Sequence, residues 1–66
     1  MTVTLNGTAT DMADGATVGD LVRRYAPDRR RIAVARNGEV VPRGDWDGTA
    51  LVEADVVEVL TPVAGG

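Results

Sequence analysis

The chain opens with residues that alternate between polar and apolar side chains, a pattern typical of a half-buried strand. Residues 2–5 follow this period of two. Asn6 and Gly7 come next, and this dipeptide favours a two-residue type I′ hairpin because both turn positions need a positive φ. The pattern therefore predicts a hairpin whose second strand spans residues 8–12.

A helix is predicted to begin after Thr17, whose hydroxyl can cap the free N–H groups of the first turn. Asp20 stands at the position that completes a capping box with Thr17. Pro27 cannot continue the helix because it has no backbone N–H. The apolar positions that follow the cap form one helical stripe, and they are Val18, Leu21, Val22 and Tyr25.

The second half of the chain repeats the hairpin pattern. Residues 32–36 predict a strand, and Asn37-Gly38 predicts a second tight turn that leads into a strand at residues 39–41. Pro42 ends that strand or places it at a sheet edge, because proline cannot donate to a ladder.

The last strand is predicted to span residues 56–63, with Pro62 as an interruption. A helix cannot bury its apolar stripe alone, and a sheet curled around it gives a two-layer fold. The order of hairpin, helix, hairpin and strand therefore predicts an α+β fold of the β-grasp (ubiquitin-like) class, with a mixed sheet of about five strands over one main helix. The predicted domain spans residues 1–63, and residues 64–66 form a flexible C-terminal Gly-Gly tail.

The composition argues against catalysis by the chain itself. Its 66 residues include no Cys and no His. Thiol redox chemistry and cysteine-ligated metal are therefore excluded, and the usual general base and commonest metal ligand are missing. A net charge of −3, one Trp and one Tyr argue against nucleic-acid binding. Without an apolar run of membrane-spanning length or a signal-peptide pattern, the expected location is the cytoplasm. We expect a carrier or binding module with no metal, no bound cofactor and no membrane partner.

The C-terminal Gly65-Gly66 offers a different kind of chemistry. Glycine has no Cβ, so such a tail can pass through a narrow channel and leave its carboxylate sterically open. A carboxylate resists nucleophilic attack until it is activated, and adenylation by ATP supplies AMP as a leaving group. Transfer of sulfide would then give a thiocarboxylate on Gly66. Because glycines are also common in frayed ends, this interpretation depends on the predicted fold around it.

Several segments together carry a family resemblance. The most specific is Asn37–Arg43 followed by Trp46. The full set is Leu5–Gly7, Asp14–Val18, Val34–Arg43 with Trp46, Val56–Leu60 and Gly65-Gly66. In these segments the chain resembles the ThiS family of sulfur carriers for thiazole synthesis, and the resemblance extends over nearly the whole chain.

The resemblance implies partners that supply the catalysis. A ThiF-type enzyme would use ATP to adenylate Gly66, a cysteine-desulfurase pathway would supply sulfur, and a ThiG-type thiazole synthase would consume the thiocarboxylate. A carrier for another pathway, such as molybdopterin synthesis, shares the same tail. A ubiquitin-like modifier and an interaction domain with an inert tail also remain open as alternatives.

Alternation along the last strand predicts a docking face. Glu58 should face water, so Val57 and Val59 point into the core. Val56 and Leu60, each two positions from Glu58, share its outer face. The strand at residues 32–36 alternates in the same way. Isolated exposed apolar residues are ordinary, but a patch beside a reactive end is where a partner is expected. The predicted partner-binding residues are Val56, Leu60, Ala33, Ala35, Val63, Ala64 and Gly65.

Acidic residues are frequent in the second half of the chain. We expect them to form an acidic stretch that steers a basic partner, an effect on the association rate that salt would reduce. These residues are Asp45, Asp47, Glu53 and Asp55.

Overall fold

A computed structural model describes residues 1–26 and 31–61 of the chain. Two predicted strands are each one residue longer than those observed. The last strand ends at Leu60 and Thr61 is outside it, while residues 62–63 of the predicted strand lie outside the described residues. In chain order the elements are β1 (Thr2–Leu5), β2 (Thr8–Asp11), α1 (Val18–Tyr25), β3 (Ala33–Arg36), β4 (Glu39–Val41), a 3₁₀ turn (Arg43–Asp45) and β5 (Val56–Leu60).

Both predicted Asn-Gly hairpins are present. Asn6 and Gly7 adopt φ values of 48° and 83°, and Asn37 and Gly38 adopt 51° and 84°. The first turn places β2 antiparallel to β1, and the second places β4 antiparallel to β3. Because a two-residue turn fixes the register, it also fixes which side chains share a face of the sheet.

The capping box that opens α1 is confirmed. The backbone N–H of Asp20 donates to the hydroxyl of Thr17 at 3.1 Å, and the backbone N–H of Thr17 donates to the carboxylate of Asp20 at 2.9 Å. Two otherwise free donors of the first turn are thereby satisfied. The helix can then present Val18, Leu21 and Val22 to the sheet, and all three are fully buried.

Tyr25 departs from the predicted stripe. Its side chain is 43% exposed, and the guanidinium carbon of Arg24 lies 5.2 Å from the centre of its ring. Tyr25 lies in the last turn of α1, at the rim of a cleft that Leu5 and Ile32 also line. Tyr25 therefore does not share the burial of the other stripe residues, and its ring is only partly covered.

The five strands form one sheet in the order β2-β1-β5-β3-β4. β5 lies at the centre, parallel to β1 and antiparallel to β3. The two hairpins thus flank the last strand, and α1 covers one face of the sheet. This mixed five-stranded sheet with one helix is the predicted β-grasp fold.

The core lies between α1 and the inner face of the sheet. Trp46, which follows the 3₁₀ turn, closes one side of it with 6% exposure. Its indole N–H donates to the backbone carbonyl of Val41 at 2.9 Å, so the polar group of the ring is satisfied. The buried apolar residues are Val3, Met12, Ala16, Val18, Leu21, Val22, Val34, Trp46, Leu51 and Val57.

The predicted boundary between a domain of residues 1–63 and a tail of residues 64–66 lies outside the described residues, and it stays a prediction. Residues 27–30 are also outside the described part. Across residues 1–26 and 31–61, no helix has both the length and the apolar character that crossing a membrane requires.

We expect Trp46→Ala to lower the free energy of unfolding by about 3–5 kcal/mol, because it removes a large buried ring from a small core. Trp46→Phe should lower the free energy of unfolding by less, because it keeps an aromatic ring in the core. Some loss should remain, because phenylalanine cannot donate to the carbonyl of Val41. Urea unfolding followed by circular dichroism measures both variants. An alanine variant no less stable than the phenylalanine variant would contradict the assignment of Trp46 to the core.

Candidate functional site

β5 carries the predicted site residues towards the end of the chain. Its last residue is Leu60, and Thr61 is the last residue that the structure describes. β5 is paired with β1 on one side and with β3 on the other, so its backbone position is fixed within the sheet. The predicted site residues Val63, Ala64, Gly65 and Gly66 lie outside the described residues.

The side chains of β5 alternate between the two faces of the sheet, as its sequence pattern predicts. Val57 is fully buried and Val59 is half-buried against the core. Val56 is 45% exposed and Leu60 is 54% exposed, and they share the outer face with Glu58. Two large apolar side chains of β5 are therefore open to solvent on the face away from α1.

The neighbouring strand extends this apolar surface. Ala33 of β3 pairs with Leu60, and Ala35 pairs with Glu58, so both alanines lie on the outer face. Ala33 is exposed and Ala35 is half-buried. Four of the predicted partner-binding residues lie in the described part of the chain, and all four share this outer face.

Val40 belongs to the same surface, although it was not among the predicted site residues. It pairs with Ala35 across the β3–β4 hairpin and its side chain is 73% exposed. The signal was present in the sequence, because the Asn37-Gly38 turn fixes the register that places Val40 beside Ala35. We call the surface formed by Val40, Ala33, Ala35, Val56 and Leu60 the outer patch.

A buried carboxylate holds the start of β5. The Asp55 side chain, immediately before the strand, is only 4% exposed. One of its oxygens accepts from the backbone N–H of Val52 and from Nε of Arg36, both at 2.9 Å. The other accepts from the side-chain amide of Asn37 at 3.0 Å. Asp55 thereby ties the loop before β5 to the turn between β3 and β4.

Of the four acidic residues expected to steer a basic partner, Asp55 departs from the expectation. Asp55 is buried and serves the fold. Asp47 pairs with Arg23 at 2.9 Å, and Glu53 accepts from the backbone N–H of Thr2 at 2.9 Å. Asp45, Asp47 and Glu53 are exposed, so the steering role expected of these three residues stays a prediction.

The surroundings of Asp55 also set its acidity. Burial alone would raise the pKa of its carboxyl group, because it penalises the charged form. The hydrogen bonds from Val52, Asn37 and Arg36 outweigh that effect and lower the pKa of Asp55 below its ordinary value of 3.8. Asp55 is therefore a charged structural group rather than a proton donor.

The described residues offer little reactive chemistry. A cleft of about 410 Å³ opens where β5 ends, but its lining contains no carboxylate and no basic side chain. No group of three or more acidic, His or Cys side chains within residues 1–26 and 31–61 is placed to hold a metal ion. The lining consists of Leu5, Asn6, Tyr25, Ala26, Ile32, Val59 and Thr61.

Comparison with known proteins points to one family. A model of the ThiS family matches residues 3–66. The chain resembles a crystal structure of a thiamine biosynthesis protein (ThiS) from Geobacter metallireducens, with a TM-score of 0.86, 30% identity and complete coverage of both chains. An NMR structure of a thiamine biosynthesis protein from the same organism gives a TM-score of 0.80 and 32% identity, covering 100% of this chain and 88% of that one.

One curated relative is much longer. Over all 66 residues the chain is 30% identical to a thiazole synthase from Paramagnetospirillum magneticum. The chain spans only 20% of the length of that protein. The similarity therefore concerns a small part of the longer relative.

We expect stability to depend on pH through Asp55. Its pKa is depressed in the folded state, so its contribution is fully present above the unfolded value and is lost as pH falls through the folded value. Urea unfolding across the acidic range should show a smaller acid-induced loss in Asp55→Asn than in the unmodified protein. Parallel pH profiles for the two proteins would contradict a structural role for the ionised carboxylate.

Proposed function

Because the chain belongs to the ThiS family, we propose that it is a sulfur carrier protein in the synthesis of the thiazole of thiamine. The observation that carries the proposal is the extent of the family match, which runs from residue 3 to residue 66 and so includes Gly65 and Gly66. Both solved structures described above are of thiamine biosynthesis proteins, which supports the same pathway.

The proposed chemistry takes place on the carboxylate of Gly66, with the carrier as a substrate of its partner enzymes. A carboxylate oxygen attacks the α-phosphorus of ATP, pyrophosphate leaves, and an acyl adenylate forms. Hydrosulfide then attacks the acyl carbon, AMP leaves, and loss of a proton gives the thiocarboxylate. Where the sulfur arrives as a protein persulfide, a thiol reductant must release it at the sulfide level. ATP is consumed by the activating enzyme and is not a bound cofactor of the carrier. The proposed location is the cytoplasm, where ATP is available.

The proposed partners divide these steps between them. A ThiF-type enzyme adenylates Gly66, a sulfur donor such as cysteine desulfurase provides the sulfur, and a ThiG-type thiazole synthase consumes it. The similarity to a protein named thiazole synthase supports the last of these partners.

The chain contains no lysine. The activated end of one copy could therefore not acylate a lysine side chain of another copy.

The outer patch is the proposed docking surface for these enzymes. A sheet face that is not covered by a helix normally carries polar side chains, whereas this one exposes Val40, Val56 and Leu60. The residues from Thr61 to Gly66 can span up to about 20 Å when extended. An enzyme bound at the outer patch could therefore receive the carboxylate in an active site at that distance.

The first test is the intact mass of the protein after incubation with ATP, a ThiF-type enzyme and a sulfur source. We expect a gain equal to the replacement of one oxygen by sulfur, because the thiocarboxylate differs from the carboxylate by that atom alone. A variant that lacks Gly66 should show no gain. An isopeptide adduct with a target lysine would instead favour a ubiquitin-like modifier.

A positive control makes a negative result decisive. The adenylating enzyme must be active on another carrier in the same experiment. If it is, and this chain gains no sulfur, the thiazole assignment fails. If sulfur is gained but a thiazole synthase does not consume it and a molybdopterin synthase does, the carrier belongs to the other pathway.

A second test concerns the outer patch. Leu60→Asp places a charge on this apolar surface, so we expect adenylation to slow by about tenfold or more through weaker binding. Val52→Asp is the matched control, because Val52 is also 54% exposed but lies in the loop before β5. Initial rates of ATP–pyrophosphate exchange measure both. Equal rates for the two folded variants would contradict docking through Leu60.

A further inference from the structure

Both Asn-Gly turns contact β5 through the side chain of their asparagine. Asn37 acts at the start of the strand, where its backbone N–H donates to the carbonyl of Val56 at 2.7 Å and its side-chain oxygen accepts from the N–H of Val56 at 2.9 Å. Asn6 acts at the other end. Its side-chain oxygen accepts from the N–H of Val59 at 2.8 Å, and its side-chain N–H donates to the carbonyl of Val59 at 3.2 Å.

The side-chain amide of Asn6 continues the hydrogen-bonded ladder between β1 and β5 beyond the end of β1. The carbonyls of Asp55 and Val57 accept from the backbone N–H groups of Thr4 and Asn6, at 2.8 and 2.9 Å. β1 then ends and the chain turns away into β2. At the next step along β5, the side-chain amide of Asn6 takes the place of a strand and bonds both backbone groups of Val59.

These bonds lie at the point where β5 leaves the sheet. Leu60, the outer-patch residue closest to the C-terminus, directly follows Val59. Beyond Leu60, the chain leads to the residues that carry the proposed chemistry. The backbone position of Val59 therefore sets where β5 leaves the sheet relative to the outer patch.

We propose that Asn6 is a positioning residue for the activation of Gly66, an inference that rests on the proposed function. An enzyme that binds the outer patch and the chain end together needs both at one relative position, and displacement by about 1 Å can slow a reaction greatly. By holding Val59 on the β1 side, Asn6 keeps the end of β5 in the docking-competent arrangement. Without its amide, that arrangement is populated only part of the time, and the apparent affinity falls in proportion.

The test compares two substitutions of the same kind. Asn6→Gly and Asn37→Gly each keep a residue that accepts the positive φ of the turn, and each removes one side-chain amide from β5. Asn37→Gly also removes a hydrogen bond to Asp55, so it disturbs the fold at least as much. It acts at the opposite end of β5 from Leu60, and this makes it the matched control.

Steady-state adenylation is measured at a temperature where all the proteins are fully folded. For Asn6→Gly we expect the KM for the carrier to rise about tenfold, because loss of the hydrogen bonds to Val59 lowers the population of the docking-competent arrangement by about that factor. The kcat at saturation should be retained. Asn37 bonds the backbone of Val56 and not the end of β5, so for Asn37→Gly we expect the KM to rise clearly less than for Asn6→Gly. Asn6→Asp keeps the acceptor for the Val59 N–H and loses the donor to its carbonyl, so its KM should lie between those of Asn6→Gly and the unmodified protein.

Amide hydrogen exchange by NMR supplies a readout that does not depend on any enzyme. In Asn6→Gly the N–H of Val59 should exchange about tenfold faster, while that of Val57 is unchanged. If Val59 exchange or the KM of Asn6→Gly equals that of the unmodified protein, the positioning role is overturned. It is also overturned if Asn37→Gly raises the KM equally. If the unmodified chain is not adenylated at all, the proposed function itself fails, and the inference fails with it.

Discussion

β5 forms backbone hydrogen-bonded ladders with β1 along one edge and with β3 along the other. An isolated two-stranded hairpin is marginally stable in water, and β5 lies between the β1–β2 and β3–β4 hairpins in the strand order. Pairing with β5 turns two weak units into one sheet. Only such a sheet is wide enough to cover the apolar stripe of α1, so the core depends on this strand.

Polar side chains stabilise β5 where backbone partners end. Asp55 and Asn37 act before the strand, and Asn6 acts near its end. A buried carboxylate without partners would be costly, but Asp55 has donors from three directions and fixes the β3–β4 turn against the loop before β5. These contacts hold the strand rigidly in register. They also leave the outer face free to carry Val40, Val56 and Leu60 instead of the polar side chains that usually cover such a face.

The features that were predictable from the sequence are those with a local cause. The Asn-Gly turns and the Thr17 cap act within a few residues, and the alternation of β5 follows from strand geometry. Asp55 was placed on the surface because its partners come from β3 and the turn after it, which the local pattern does not reveal. Tyr25 fits the helical period, yet the sheet does not reach far enough to cover it. The role of Asn6 was hidden because turn chemistry already explained that residue.

The parallel pairing of β1 with β5 joins Thr4 to Val56, residues that are far apart in the sequence. During translation β1 therefore leaves the ribosome long before its partner exists, and the sheet can close only after β5 has emerged. A product truncated before β5 would retain unpaired strand edges and an uncovered helix, which are features that proteases and chaperones recognise. A stably folded molecule has therefore been translated at least as far as β5, the strand that leads to Gly66.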